Sequence, residues 1–118
     1  MSQVIPKDLM AASATPLILS ILSRGDSYGY AIIREVRDIS DGELEWVDGM
    51  LYPILHRLEK RDLIESYPGS ADNGRKRKYY TLTGKGTKRL AADTEQWNAV
   101  SSAMQALGLV KSMEGAPA

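Results

Sequence analysis

The side chains with reach in this chain are cations rather than nucleophiles. Residues 75–89 hold seven of them (Arg75, Lys76, Arg77, Lys78, Lys85, Lys88 and Arg89) and no carboxylate. His56, Arg57 and Lys60 make a second group within residues 48–60, DGMLYPILHRLEK. Guanidinium and ammonium runs of this kind neutralise phosphates, and Arg or His on a helix can reach base edges. Covalent chemistry has little to work with. The chain has no cysteine, hence no disulfide framework and no thiolate metal centre, and its one histidine is too few for a histidine metal site. Gly84-Lys85-Gly86 falls far short of a phosphate-binding loop. The residues predict no enzyme, no cofactor and no metal.

Taken alone, a basic run describes a solvated face, and residues 48–60 describe an ordinary amphipathic helix. What separates these readings from nucleic-acid binding is the set of elements around them. Leu51, Ile54, Leu55 and Leu58 fall at offsets of three, four and seven, which draws one apolar stripe. Met50, Tyr52, Pro53, His56, Arg57 and Lys60 take the outer face, and Asp48 is positioned to cap the first turn.

With 118 residues, 43% hydrophobic, the chain suits one domain with a small core. Its net charge is zero, but the charge is polarised: residues 38–48 carry five acids (Asp38, Asp41, Glu43, Glu45, Asp48) and no cation. A basic face survives such neutrality, because screening confines the field a phosphate meets to roughly 8 Å at physiological salt. No apolar run is long enough to span a membrane, and MSQVIPKD does not start like a signal peptide. A cytoplasmic protein is expected.

Residues 7–23 predict a first helix, kinked at Pro16 or starting near Thr15. Ser27 is placed to cap a second helix over 28–38, with Ile32, Ile33, Val36 and Ile39 inward. Gly29 costs that helix about 1 kcal/mol relative to alanine, which implies a close approach by a neighbouring helix or a phosphate. Leu44 and Trp46, alternating with glutamates, suit a short strand. The 48–61 helix follows, and Asp62 stands where positive φ is needed. Strands over 63–67 and 77–82 flank a turn-forming stretch, 68–74, giving a hairpin with a basic tip. Of Tyr79 and Tyr80, one should be core and one rim. Thr83 is placed to cap the last helix, but Gly86 stands where a capping box wants Glu, so fraying is expected there.

That order (helix, helix, short strand, helix, hairpin, long helix) is a winged helix-turn-helix with a C-terminal dimerisation helix. The fold class is mainly α with a small β-hairpin, α+β. Residues 1–83 form the DNA-binding unit, 84–112 the terminal helix (helical over about 85–111), and 113–118 a disordered tail. In this architecture the third helix enters the major groove and the wing lies on adjacent backbone. In the last helix, Leu90, Trp97, Met104 and Lys111 are seven apart, with Val100 and Leu107 between them. Such a short heptad seam calls for a partner, most simply a second copy through Leu90, Trp97, Val100, Met104 and Leu107.

The chain resembles the PadR family of bacterial transcriptional regulators. The resemblance rests on Ser27-Tyr28-Gly29-Tyr30 with Ile32; Leu51-Tyr52-Pro53-Ile54-Leu55 with Arg57-Leu58-Glu59-Lys60; Leu63-Ile64; and Arg77-Lys78-Tyr79-Tyr80 with Leu82-Thr83 and Gly86. It covers almost the whole chain. Asp62 replaces a usual Gly and Gly84 a usual acidic residue, which bears only on helix ends. Ending after one helix, the chain is similar to the short, LmrR-like branch. That branch is associated with multidrug-responsive repressors whose dimers hold flat aromatic compounds between subunits. The resemblance implies a homodimer, operator binding, and release by a ligand or signal.

The expected DNA contacts are Tyr28, Met50, Tyr52, Pro53, His56, Arg57 and Lys60, with Arg75, Lys76, Arg77 and Lys78 from the wing. Arg57 or His56 would reach bases, and the wing would neutralise phosphates. Tyr52 also admits a packing role. For a planar aromatic or cationic effector the candidates are Trp97, with Asp93 and Ser101 four residues to either side, and Leu9 covering from the first helix. Trp97 equally suits a dimer core. The rival reading is a winged-helix protein–protein adaptor without DNA binding, which would tend to have an acidic or apolar third-helix face.

Overall fold

A computed structural model describes residues 4–111. Three helices build the core: α1 (Lys7–Ser23), α2 (Gly29–Ile39) and α3 (Asp48–Lys60). They bury Ile18, Leu19 and Leu22, then Ile32 and Val36, then Leu51, Leu55 and Leu58. Each such side chain contributes roughly 1.5–3 kcal/mol by leaving water. Trp46, Leu63, Ile64 and Tyr80 complete the cluster.

The sheet has three antiparallel strands, β1 (Ser27–Tyr28), β2 (Ile64–Ser70) and β3 (Lys76–Leu82), in the order β1-β3-β2. Its register sets Tyr67 and Tyr28 on either side of Tyr79, and Ser66 and Ser27 on either side of Tyr80. Successive residues face opposite ways. Tyr80 therefore enters the core, 1% exposed, while Tyr79 stays half-buried on the other face, as the core-and-rim expectation had it. The last helix, α4 (Gly84–Ala106), packs along α1.

Several local expectations fail for identifiable reasons. α1 has the expected bounds, 7–23, and is one helix running through Pro16 rather than starting near Thr15; the ring there removes the N–H that would meet the Ala12 carbonyl. Ser27 does not cap α2, because it pairs with Tyr80 as part of β1, and Tyr28 is the N-cap residue. The third strand is thus 27–28. Residues 43–47 form no strand, although Trp46 is buried there as a core group. Ile39, 56% exposed, ends α2 beyond the core's reach. Val47, not Asp48, is the N-cap of α3; Asp48 lies in the first turn, where a carboxylate still complements the helix dipole. Pro68, Gly69 and Ser70 continue β2, so the tip shrinks to 71–75.

The start of α4 is firmer than expected. Thr83 Oγ1 accepts from Gly86 N–H at 2.9 Å and donates to the Asp62 carbonyl at 2.7 Å. Gly86 is buried against the Leu63 carbonyl, which a Cβ would overlap, so glycine there serves close packing rather than a failed cap. Asp62 does take positive φ, at 61°. α4 ends at Ala106 rather than 111, closed by Gly108 at φ 76°. The tail assigned to 113–118 lies outside the described residues. No helix among them is long and apolar enough to cross a membrane.

Candidate nucleic-acid interface

α3 presents Tyr52, Pro53, His56, Arg57 and Lys60 outward, all exposed. Met50 departs from this set, being half-buried and packed on the core. Tyr52 serves both roles considered for it. Its ring is partly exposed, while its hydroxyl rests against Gly29 at the start of α2, where any side chain would overlap it. The cost of Gly29 to α2 is thereby explained by docking of the third helix on the second.

The wing supplies Arg75, Lys76 and Lys78 as exposed cations. Its tip is shaped by Asn73, whose Oδ1 accepts from Arg75 N–H at 3.0 Å, and by Gly74 at φ 81°. Arg77 differs from its neighbours. It is half-buried, with its guanidinium 4.1 Å from the centre of the Tyr28 ring. A cleft of about 360 Å³ joins the start of α2 (Tyr28, Gly29, Tyr30), Tyr52 of α3, and Lys76, Arg77 and Lys78 of the wing. Five of the expected DNA contacts thus line one cleft. His56, Arg57 and Lys60 follow along the exposed side of α3, and Arg75 stands at the tip.

Two acids outside the expected set hold this surface together. Glu59, on the inner side of α3, accepts from Ser66 Oγ at 2.7 Å and pairs with Lys78 at 3.6 Å. Asp26, in the turn between α1 and β1, accepts from the Tyr67 hydroxyl at 2.6 Å. The Tyr67 hydroxyl, then the Thr81 side chain, hold the Asp26 carboxyl below the usual carboxylate range. The same bond raises the Tyr67 phenol. Asp26 and Tyr67 are 41 residues apart, so no local pattern in the sequence announces the pair.

The terminal helix carries the other predicted residues. Leu90, Asp93 and Trp97 line a groove of about 400 Å³ against Ser13, Pro16, Leu17 and Ser20 of α1. Asp93 is buried; Oδ1 pairs with Arg89 at 3.0 Å, while Oδ2 has no partner among the described residues. Leu9 and Ser101 lie outside this groove; Ser101 Oγ instead accepts from Gln105 Nε2 at 3.5 Å. Further on, Trp97, Val100, Met104 and Leu107 are exposed. Among the described residues no group of three or more His, Cys, Asp or Glu is arranged to hold a metal.

Residues 18–92 match the transcriptional regulator PadR-like family. An uncharacterized protein of Lysinibacillus sphaericus is 31% identical over 94 residues, spanning 80% of this chain and 86% of that protein. The transcriptional regulator YqjI of Escherichia coli K12 is 31% identical over 90 residues, 76% of this chain but only 42% of that longer protein. Among solved structures, a transcriptional regulator from Clostridium thermocellum superposes with a TM-score of 0.76 at 32% identity, covering 89% of this chain and 100% of that one. A PadR-like transcriptional regulator from Bacillus cereus gives the same TM-score, 0.76, at 28% identity, with 89% and 100% coverage. Those of these relatives whose role is named are transcriptional regulators, not enzymes, and the chain belongs to the PadR-like family of transcriptional regulators.

Proposed function

We propose that the chain acts as a homodimeric repressor in the cytoplasm, reading a palindromic operator with α3 and gripping flanking phosphates with the wing. The observation that carries this is the cleft in which the start of α2, Tyr52 of α3 and the cations Lys76, Arg77 and Lys78 meet. Arg57 or His56 reads base edges, and Lys76, Arg77 and Arg75 neutralise phosphates, which adds affinity without sequence information. The exposed Trp97, Val100 and Met104 seam pairs two copies through residues 84–112, and sets two α3 helices about 34 Å apart on successive turns of DNA. Trp97 and Asp93 are the side chains best placed for a planar, cationic effector of the kind associated with the LmrR-like branch. Such a compound releases DNA only as far as it binds the unbound arrangement better.

The test is selection of bound fragments from random DNA, followed by affinity against salt. Retained palindromes should have a fixed arm spacing. The log–log slope should be about −0.9 for each phosphate contacted, and should shrink by about one unit in Lys76→Ala. A protein–protein adaptor would retain no DNA, and that result would end the proposal.

A further inference from the structure

The face of the wing sheet turned away from the core holds one continuous row of rings. Tyr67 stacks on Tyr79, centroids 5.7 Å apart and planes at 16°. Tyr79 meets Tyr28 edge-on at 5.5 Å and 77°. Arg77 lies over Tyr28. Strand pairing enforces the row, since Tyr67, Tyr79 and Tyr28 are register partners on three adjacent strands. Tyr79 is further confined by Gly69, where a side chain would overlap its ring. One end of the row is Arg77, in the cleft; the other is the Tyr67 hydroxyl, tied to exposed Asp26.

We infer that Asp26 and Tyr67 are positioning residues for DNA binding: their hydrogen bond fixes the tyrosine row, and the row presents Arg77 to a backbone phosphate beside the start of α2. This rests on the proposed use of the wing in DNA binding. Arginine has many rotamers, and an unfixed one must be ordered when DNA arrives, at a cost in affinity. A guanidinium seated on a ring that is itself wedged has less order to lose. The sign of the effect separates this from simple electrostatics. A carboxylate near a phosphate-binding face opposes DNA, so removing its charge alone should tighten binding. Its positioning role predicts the reverse.

The experiment measures affinity for a selected operator, across a range of salt, for wild type, Arg77→Ala, Tyr67→Phe, Asp26→Ala and the double variant Arg77→Ala/Tyr67→Phe, with melting temperature followed in parallel. Arg77→Ala should weaken binding about tenfold and lower the salt slope by about one unit. Tyr67→Phe and Asp26→Ala should each weaken it about three- to tenfold, the scale of one typical hydrogen bond. The double variant should be no weaker than Arg77→Ala, because the bond acts through Arg77. An Asp26→Ala protein that binds as well as wild type, or better, overturns the inference. So does a Tyr67→Phe loss that persists undiminished without Arg77, which would mark a brace of the wing fold only. Should Tyr67→Phe melt early, Asp26→Ala, a surface change, decides alone. If Arg77→Ala binds like wild type with an unchanged slope, the use of the wing itself fails.

Discussion

The reading half of this molecule and its terminal helix obey the same periodicity but end differently. In α3, the stripe of Leu51, Leu55 and Leu58 is covered by the chain's own α1, α2 and sheet. In α4 the stripe starts the same way, with Leu90 packed on the core, and then runs past the end of what could cover it. Trp97 is 37% exposed, Val100 47% and Leu107 76%. A helical stripe states that a face must be covered; it does not say by which chain. In α3 the cover is intramolecular, and the outer face is left free to recognise. In α4 the apolar face is the part left exposed, and we propose that a second copy covers it.

The largest effect should come from charging that surface. Val100→Glu/Met104→Glu touches no residue of the core cluster, so the protomer should keep its helical circular dichroism and sediment as a single chain. Operator affinity should fall about a hundredfold or more, since two linked reading heads gain that much over one. A double variant that still sediments as a dimer, or a wild type that is monomeric at micromolar concentration, would break the contrast between the two halves.

The same contrast explains what the sequence disclosed. The α3 stripe, the hairpin, the positive φ at Asp62 and the Thr83 cap are set by neighbours a few residues away, and all appear in the structure. What misled or stayed hidden was decided at long range. Ser27 has the chemistry of a cap, but pairing with Tyr80 across the fold claims it for a strand. Leu44 and Trp46 alternate like a strand, yet Ser27 and Tyr28 are the residues that pair with β3, and residues 43–47 join no strand of the sheet. Gly86 reads as a defect until the Leu63 carbonyl is seen against it. At the candidate site, the cations were legible as a run, but not that Arg77 lies on Tyr28 while Lys78 pairs with Glu59.

An intermediate effect sharpens the comparison from the side of α4. The groove it shares with α1 holds the buried, half-paired Asp93 beside Trp97. If an effector stacks on that indole, Trp97→Ala should weaken a planar cationic dye about tenfold, the scale of two aromatic pairs, as read by fluorescence titration. Asp93→Asn should weaken the cationic dye and spare a neutral one of the same shape. Equal dye affinity for wild type and Trp97→Ala would return the tryptophan to a purely packing role at the seam.

The smallest effect probes how complete the reading half is. Its core is closed, but the Tyr80 hydroxyl is buried without a partner among the described residues. Burial of the ring, then the Glu59 carboxylate, then Tyr52, push its pKa from 10.0 up to about 12. Because the folded value lies above the unfolded one, the neutral phenol's contribution is fully present below pH 10 and is lost as pH rises toward 12. The expected loss is about 1 kcal/mol over the first pH unit above 10, seen in urea unfolding at each pH. Tyr80→Phe should remove that part of the alkaline decline. At neutral pH the same variant should be as stable as wild type or up to about 1 kcal/mol more so, because it deletes an unsatisfied hydroxyl while keeping the ring under the Lys78 ammonium, 5.6 Å away. A loss of more than about 1 kcal/mol at pH 7 would mean that the hydroxyl has a partner in solution.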